Sequence, residues 1–125
     1  MTWLLVGLGG ALGSMARYGV NLAAAQWLPA GFPFGTFLVN AVGCALFGVL
    51  AGIGERSGVM TPALRAFCLT GVLGGLTTFS SYGYETVALA RGDAWGLAVL
   101  NAAGQVVVGV GAVAAGWWLA ARALA

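Results

Sequence analysis

The chain has 125 residues, 61% hydrophobic and 6% charged, with a mean hydropathy of +0.97. Soluble domains carry about 25% charged residues, so this composition describes an integral membrane protein. Five arginines oppose three acids, and lysine and histidine are absent; this excludes a nucleic-acid interface, which needs a basic run, and removes the commonest transition-metal ligand.

A spanning helix needs about 20 predominantly apolar residues. The first is expected over roughly Thr2 to Trp27, ended by Pro29-Ala30-Gly31-Phe32-Pro33. It has no basic leader and Arg17 interrupts it, so it does not read as a signal peptide. The second is expected over roughly Phe34 to Ile53, followed by the polar turn Gly54-Glu55-Arg56-Ser57-Gly58. The third runs roughly from Thr61 to Ala90, with Pro62 in its first turn and an interruption near Gly74 to Thr78. Arg91-Gly92-Asp93 makes the next turn, and the fourth helix runs roughly from Trp95 to Ala121. The expected fold is a single all-α membrane domain, residues 1–125, of four transmembrane helices with a broken third helix.

Smaller signals support this layout. Trp3, Trp27, Trp95, Trp117 and Trp118 lie near span ends, where amphipathic rings anchor at the membrane interface. Gly9/Gly13, Gly48/Gly52 and Gly71/Gly75 have the small-xxx-small spacing that lets helices approach closely. Cys44 and Cys68 fall in apolar segments and read as packing residues rather than a disulfide. Four spans put Arg56, Arg65 and Arg122 on one side and Arg91 on the other. So small a bias leaves both orientations open.

The interruption carries the strongest functional signal. Gly74-Gly75-Leu76-Thr77-Thr78-Phe79-Ser80-Ser81-Tyr82 places glycines, hydroxyls and aromatics where a membrane helix is usually uniformly apolar. In hydrocarbon every backbone polar group must find an internal partner, so a helix breaks only where protein or a wet path receives the freed groups. Freed carbonyls beside hydroxyls at mid-membrane depth read as an ion site. The other intramembrane polar residues are few. Arg17 either snorkels to the headgroups or forms an electropositive vestibule for an anion. Glu85 either pairs with an arginine or a backbone donor, or reaches the interface. Asn40, two turns into an apolar helix, is either interhelical glue or a donor to an anion. Asn101 and Gln105 are spaced i, i+4 and share a face, which suits a wet path and a polar helix contact equally. Phe79 and Tyr82 also share a face; chemistry alone would make them aromatic core packing, but beside the break and the hydroxyl cluster their positive ring edges suit a small anion.

Three stretches together carry a family resemblance: Gly9-Gly10-Ala11-Leu12-Gly13-Ser14-Met15-Ala16-Arg17-Tyr18, Phe34-Gly35-Thr36-Phe37-Leu38-Val39-Asn40-Ala41-Val42-Gly43, and Gly71 through Tyr82. In this order, in a chain of this length, they resemble the Fluc (CrcB) family of fluoride channels. The resemblance implies a fluoride-selective channel that passively exports cytoplasmic fluoride and relieves its toxicity. It implies an inner-membrane, dual-topology homodimer of antiparallel subunits, with no enzymatic activity. The implied anion pathway comprises Arg17, Asn40, Phe79, Ser80, Ser81, Tyr82 and Gln105. A structural sodium ion would be held by the backbone carbonyls of Gly74 and Thr77. The chain departs from the family's usual pattern in having Tyr82 where phenylalanine is common and Ser81 where threonine is common. Two other readings compete. A small proton-coupled multidrug exporter needs a buried carboxylate, for which Glu85 is the candidate. A non-conducting membrane scaffold needs no hydroxyl-lined break.

Overall fold

A computed structural model describes residues 1–124, and every element in it is helical. Helix α1 spans Thr2–Trp27 and α2 spans Phe34–Ser57. The third apolar segment, Pro62–Arg91, is divided. It opens as α3 (Pro62–Arg65), continues as a π-helix (Ala66–Leu73) and closes its first half as α4 (Gly74–Leu76). Its second half is α5 (Phe79–Arg91), and α6 spans Trp95–Ala123.

The helix ends follow local chemistry. Thr61 caps α3, its Oγ1 accepting from the Leu64 N–H at 3.2 Å, and Pro62 takes the first turn, as its sequence position predicts. Helix α2 runs four residues past the expected Ile53. Ser57 Oγ donates to the Ile53 carbonyl at 2.7 Å, and Gly58 supplies the left-handed cap at φ 65°. The turn therefore begins at the glycine, not at the charged residues before it. Helix α6 likewise extends to Ala123 rather than Ala121.

Three segments are long and apolar enough to cross a membrane: Phe34–Ser57, Pro62–Arg91 and Trp95–Ala123. Helix α1 has 26 residues, about 39 Å at the helical rise, but Arg17, Asn21 and Gln26 make it less apolar than the others. Leu4, Leu8, Leu22, Val99 and Val107 face outward. The interior is built mostly of small residues, with Val39 and Leu73 its larger apolar members. That distribution suits a lipid solvent, where helices associate by close packing rather than by hiding leucines.

The third segment changes partners at its break. The π-helix and α4 lie against α1, whereas α5 lies against α6, and α2 packs along α6. The predicted glycine pairs make these seams. A Cβ on Gly9 would meet the Phe67 carbonyl at 2.5 Å, and one on Gly75 would meet the Gly10 carbonyl at 2.5 Å. Across the α2–α6 seam, a Cβ on Gly52 would lie 2.9 Å from the Ala120 methyl. Backbones this close gain dispersion contact that a larger side chain would prevent.

Candidate functional site

The break itself is two residues long. Thr77 (φ −82°, ψ 155°) and Thr78 (φ −152°, ψ 117°) are extended between two helical halves. Gly74, expected inside the interruption, is helical. In hydrocarbon the released peptide groups need partners, and the side chain of Asn40 provides them. Thr78 N–H donates to Asn40 Oδ1 at 2.8 Å, and Asn40 Nδ2 donates to the Thr78 carbonyl at 3.1 Å. The amide pairs with the Thr78 backbone much as a neighbouring strand would. Its second N–H donates to Gln105 Oε1 at 2.6 Å.

The hydroxyl cluster restarts the helix. Thr78 Oγ1 accepts from the Ser81 N–H at 3.2 Å, capping α5. The same hydroxyl donates to Ser81 Oγ at 3.1 Å and lies 3.2 Å from Ser80 Oγ. Before the break, Thr77 Oγ1 donates to the Leu73 carbonyl at 2.9 Å, which also accepts the Thr77 N–H at 3.0 Å. The four carbonyls from Gly74 to Thr77 thereby lose their helical donors, and two of those donors have found other partners. Thr78 N–H, which would serve Gly74 in a continuous helix, goes to Asn40. Ser81 N–H, which would serve Thr77, goes to Thr78 Oγ1. Hard carbonyl oxygens released at a helix C-terminus fit a hard cation such as sodium.

A cavity of about 420 Å³ opens beside the break. Its lining brings together Asn40, Gly74, Thr77, Phe79, Tyr82 and Gln105 from the sequence-based set, and adds Thr78, which that set omits. Phe79 and Tyr82 form a tilted ring pair, centroids 5.3 Å apart, and Phe79 is 82% exposed. The Tyr82 hydroxyl donates to the Ala102 carbonyl at 3.1 Å, tying α5 to α6. Ser80 and Ser81 lie on the first turn of α5, outside this lining, and Arg17 sits half-buried on α1, also outside it.

Asn101 and Gln105 do share a face: Gln105 Nε2 donates to Asn101 Oδ1 at 3.0 Å. Asn101 is fully buried and donates to Thr86 Oγ1 at 2.8 Å, so it reads as a polar helix contact. Thr86 was not legible as a site residue, since a single threonine on an amphipathic helix carries no pattern. Among the described residues Glu85 pairs with neither an arginine nor a backbone donor. Thr36 Oγ1 donates to its Oε1 at 2.7 Å, and its Oε2 is buried without a hydrogen-bond partner among the described residues. Asn21, Thr36 and Glu85 line a second cavity of about 290 Å³. Cys44 and Cys68 are free thiols.

Comparison with known proteins gives a consistent result. The family model for CrcB-like protein, Camphor Resistance (CrcB), matches residues 4–117. Curated relatives named fluoride-specific ion channel FluC are similar along most of their length. That of Thermus thermophilus is 46% identical over 108 residues, covering 86% of each chain. That of Nitratidesulfovibrio vulgaris is 42% identical over 107 residues, again 86% of each. That of Sorangium cellulosum is 39% identical over 123 residues, 98% of this chain and 97% of the relative.

Proposed function

We infer that this chain, which belongs to the CrcB-like family, is a fluoride-specific ion channel and not an enzyme. It is a multi-pass membrane protein that lets cytoplasmic fluoride leave down its electrochemical gradient, limiting fluoride toxicity. The observation that carries the reading is the convergence of Asn40, Thr78, Phe79, Tyr82 and Gln105 on one cavity at a helix break. Fluoride is small and strongly hydrated. A selective path must replace its water with hydrogen-bond donors in a narrow space, yet bind weakly enough for release. Amide N–H groups, rotatable hydroxyls and ring edges meet that requirement without a fixed charge to trap the ion. The N-terminus of α5 adds the positive end of a helix dipole at the same depth.

In this reading the anion passes Asn40, Phe79 and Tyr82, with Gln105, Ser80 and Ser81 contributing polar contacts and Arg17 raising the potential near the mouth. All four long helical segments, α1 included, cross the inner membrane. Two antiparallel copies form the channel, supported by the weak arginine bias and by the exposure of Phe79 beside an open cavity. The Gly74 and Thr77 carbonyls would hold a sodium ion, which when bound supplies positive charge to the released helix end.

Liposomes carrying the purified protein and loaded with potassium fluoride test the function. Fluoride release on addition of a potassium ionophore alone is expected, with chloride retained. Release that needs a proton gradient, or equal chloride release, contradicts a fluoride channel.

A further inference from the structure

Five hydrogen bonds run head to tail from the break into the dry interior, and their direction is set at both ends. Thr78 N–H donates to Asn40, Asn40 to Gln105 Oε1, Gln105 Nε2 to Asn101 Oδ1, Asn101 Nδ2 to Thr86 Oγ1, and Thr86 Oγ1 to the Tyr82 carbonyl at 2.8 Å. The first group is a backbone N–H and the last a backbone C=O. Neither can exchange donor for acceptor. An amide flipped within the chain would face N–H against N–H on one side and oxygen against oxygen on the other. The polarity of every member is therefore dictated by the peptide at Thr78 and the carbonyl at Tyr82.

Gln105 lines the cavity, whereas Asn101 and Thr86 do not. Gln105 is thus where the wet path meets the dry relay. Held by Asn101, it presents its oxygen to Asn40 and turns its own N–H groups inward. Both N–H groups of Asn40 are then committed, one to the Thr78 carbonyl and one to Gln105 Oε1. An anion at Asn40 must compete with that oxygen. Asn101 is 0% exposed, so no solvent partner replaces it if Gln105 turns.

We propose that Asn101 and Thr86 are positioning residues that set fluoride affinity at Asn40 by holding Gln105 in its oxygen-forward orientation. The proposal rests on the channel reading. Its physical content is that the anchored relay keeps binding weak. Once Gln105 is released, its amide rotates, Asn40 regains a free N–H, and Gln105 adds a second donor to the ion. Binding tightens and exit slows.

The test is fluoride current through the reconstituted full-length protein in planar bilayers, measured against fluoride concentration. Asn101→Leu keeps the branched outline of the side chain and removes the acceptor for Gln105. It is expected to lower the half-saturating fluoride concentration by about fivefold, the equilibrium factor for one hydrogen bond, and to lower the saturating current. Thr86→Val is expected to shift it in the same direction by less, and Thr86→Ser to restore the wild-type value. In the background of Gln105→Leu, adding Asn101→Leu is expected to change nothing further, the mark of residues acting through one another. A loss of current with unchanged half-saturation in Asn101→Leu and in Thr86→Val overturns the proposal, because a merely structural role gives that result. If Asn101→Leu does not fold, the Thr86 pair decides alone. Absence of fluoride current from the wild-type chain overturns the channel reading as well, and separates that failure from this one.

Discussion

The two halves of the third apolar segment are similar in length but do opposite work. The first half, from Pro62 to Leu76, buries Ala66, Gly71 and Leu73 and lies against α1 along a glycine seam. Much of it is wound as a π-helix, in which each peptide donates five residues back rather than four. The second half, Phe79–Arg91, has no fully buried residue and carries hydroxyls, two cavity-lining aromatics and a carboxylate. One half is held by shape, the other by hydrogen bonds to α2 and α6. Two extended residues and one amide, Asn40, join them. A membrane helix can thus be rigid on one side of a break and polar on the other when a side chain such as Asn40 receives the peptide groups of Thr78.

The comparison breaks most completely at the glycine seam. Gly75→Val puts a branched side chain where even a Cβ meets the Gly10 carbonyl at 2.5 Å. Overpacking typically costs about 1–3 kcal/mol, and more where, as here, backbone must move. Little folded protein is expected, and thermal unfolding in detergent checks it. Gly74→Val is the control on the same helix. A Cβ there meets only the Leu69 carbonyl, at 3.7 Å, so the single chain has room. In the proposed dimer, Gly74→Val is expected to crowd the facing subunit and lower the dimer fraction, which crosslinking or size-exclusion chromatography reads.

Asn40→Ala attacks the junction. It leaves the Thr78 N–H and carbonyl without their side-chain partner, at about 1–3 kcal/mol for each unsatisfied group. It also removes the amide donor that the proposed pathway offers to the ion. Fluoride release from liposomes is expected to fall by about a hundredfold or more, with the protein still assembled. Wild-type release from an assembled Asn40→Ala would reduce Asn40 to interhelical glue.

Smaller effects sharpen the second half. Thr78→Ala removes the cap of α5 and costs about 1 kcal/mol, read as a lower unfolding temperature. Tyr82→Phe loses the bond to the Ala102 carbonyl, also about 1 kcal/mol, but keeps the ring edge. Conduction close to wild type is expected, whereas Tyr82→Ile should conduct poorly because it has no positive edge. Equal conduction by both variants would remove Tyr82 from the pathway.

Much of this was legible in the sequence. Length and apolarity marked the segments, glycine spacing marked both seams, and the Gly-Thr-Ser run marked the break within a few residues. The shared face of Phe79 and Tyr82, and that of Asn101 and Gln105, followed from helical spacing. What escaped depends on contacts between residues far apart in the chain. Asn40 reaches Thr78 across 38 positions, and Thr36 reaches Glu85 across 49. No local pattern announces either. The π-helix was hidden because the sequence sets no marker on a one-residue change in hydrogen-bond register. Gly74 attracted the interruption because glycine weakens helices, yet the break fell at Thr77 and Thr78, where Asn40 and a hydroxyl cap stand ready. The Tyr82 hydroxyl donates to a backbone carbonyl on α6, another partner that no local pattern announces.

Passive, fluoride-selective conduction by this chain would set the reversal potential of its current. A planar bilayer containing the purified protein separates two sodium solutions of equal total anion, one rich in fluoride, the other rich in chloride with a smaller, known fluoride concentration. The account predicts a reversal potential close to the fluoride equilibrium value, unmoved by a pH gradient. A reversal near zero, or one that follows the proton gradient, would contradict it.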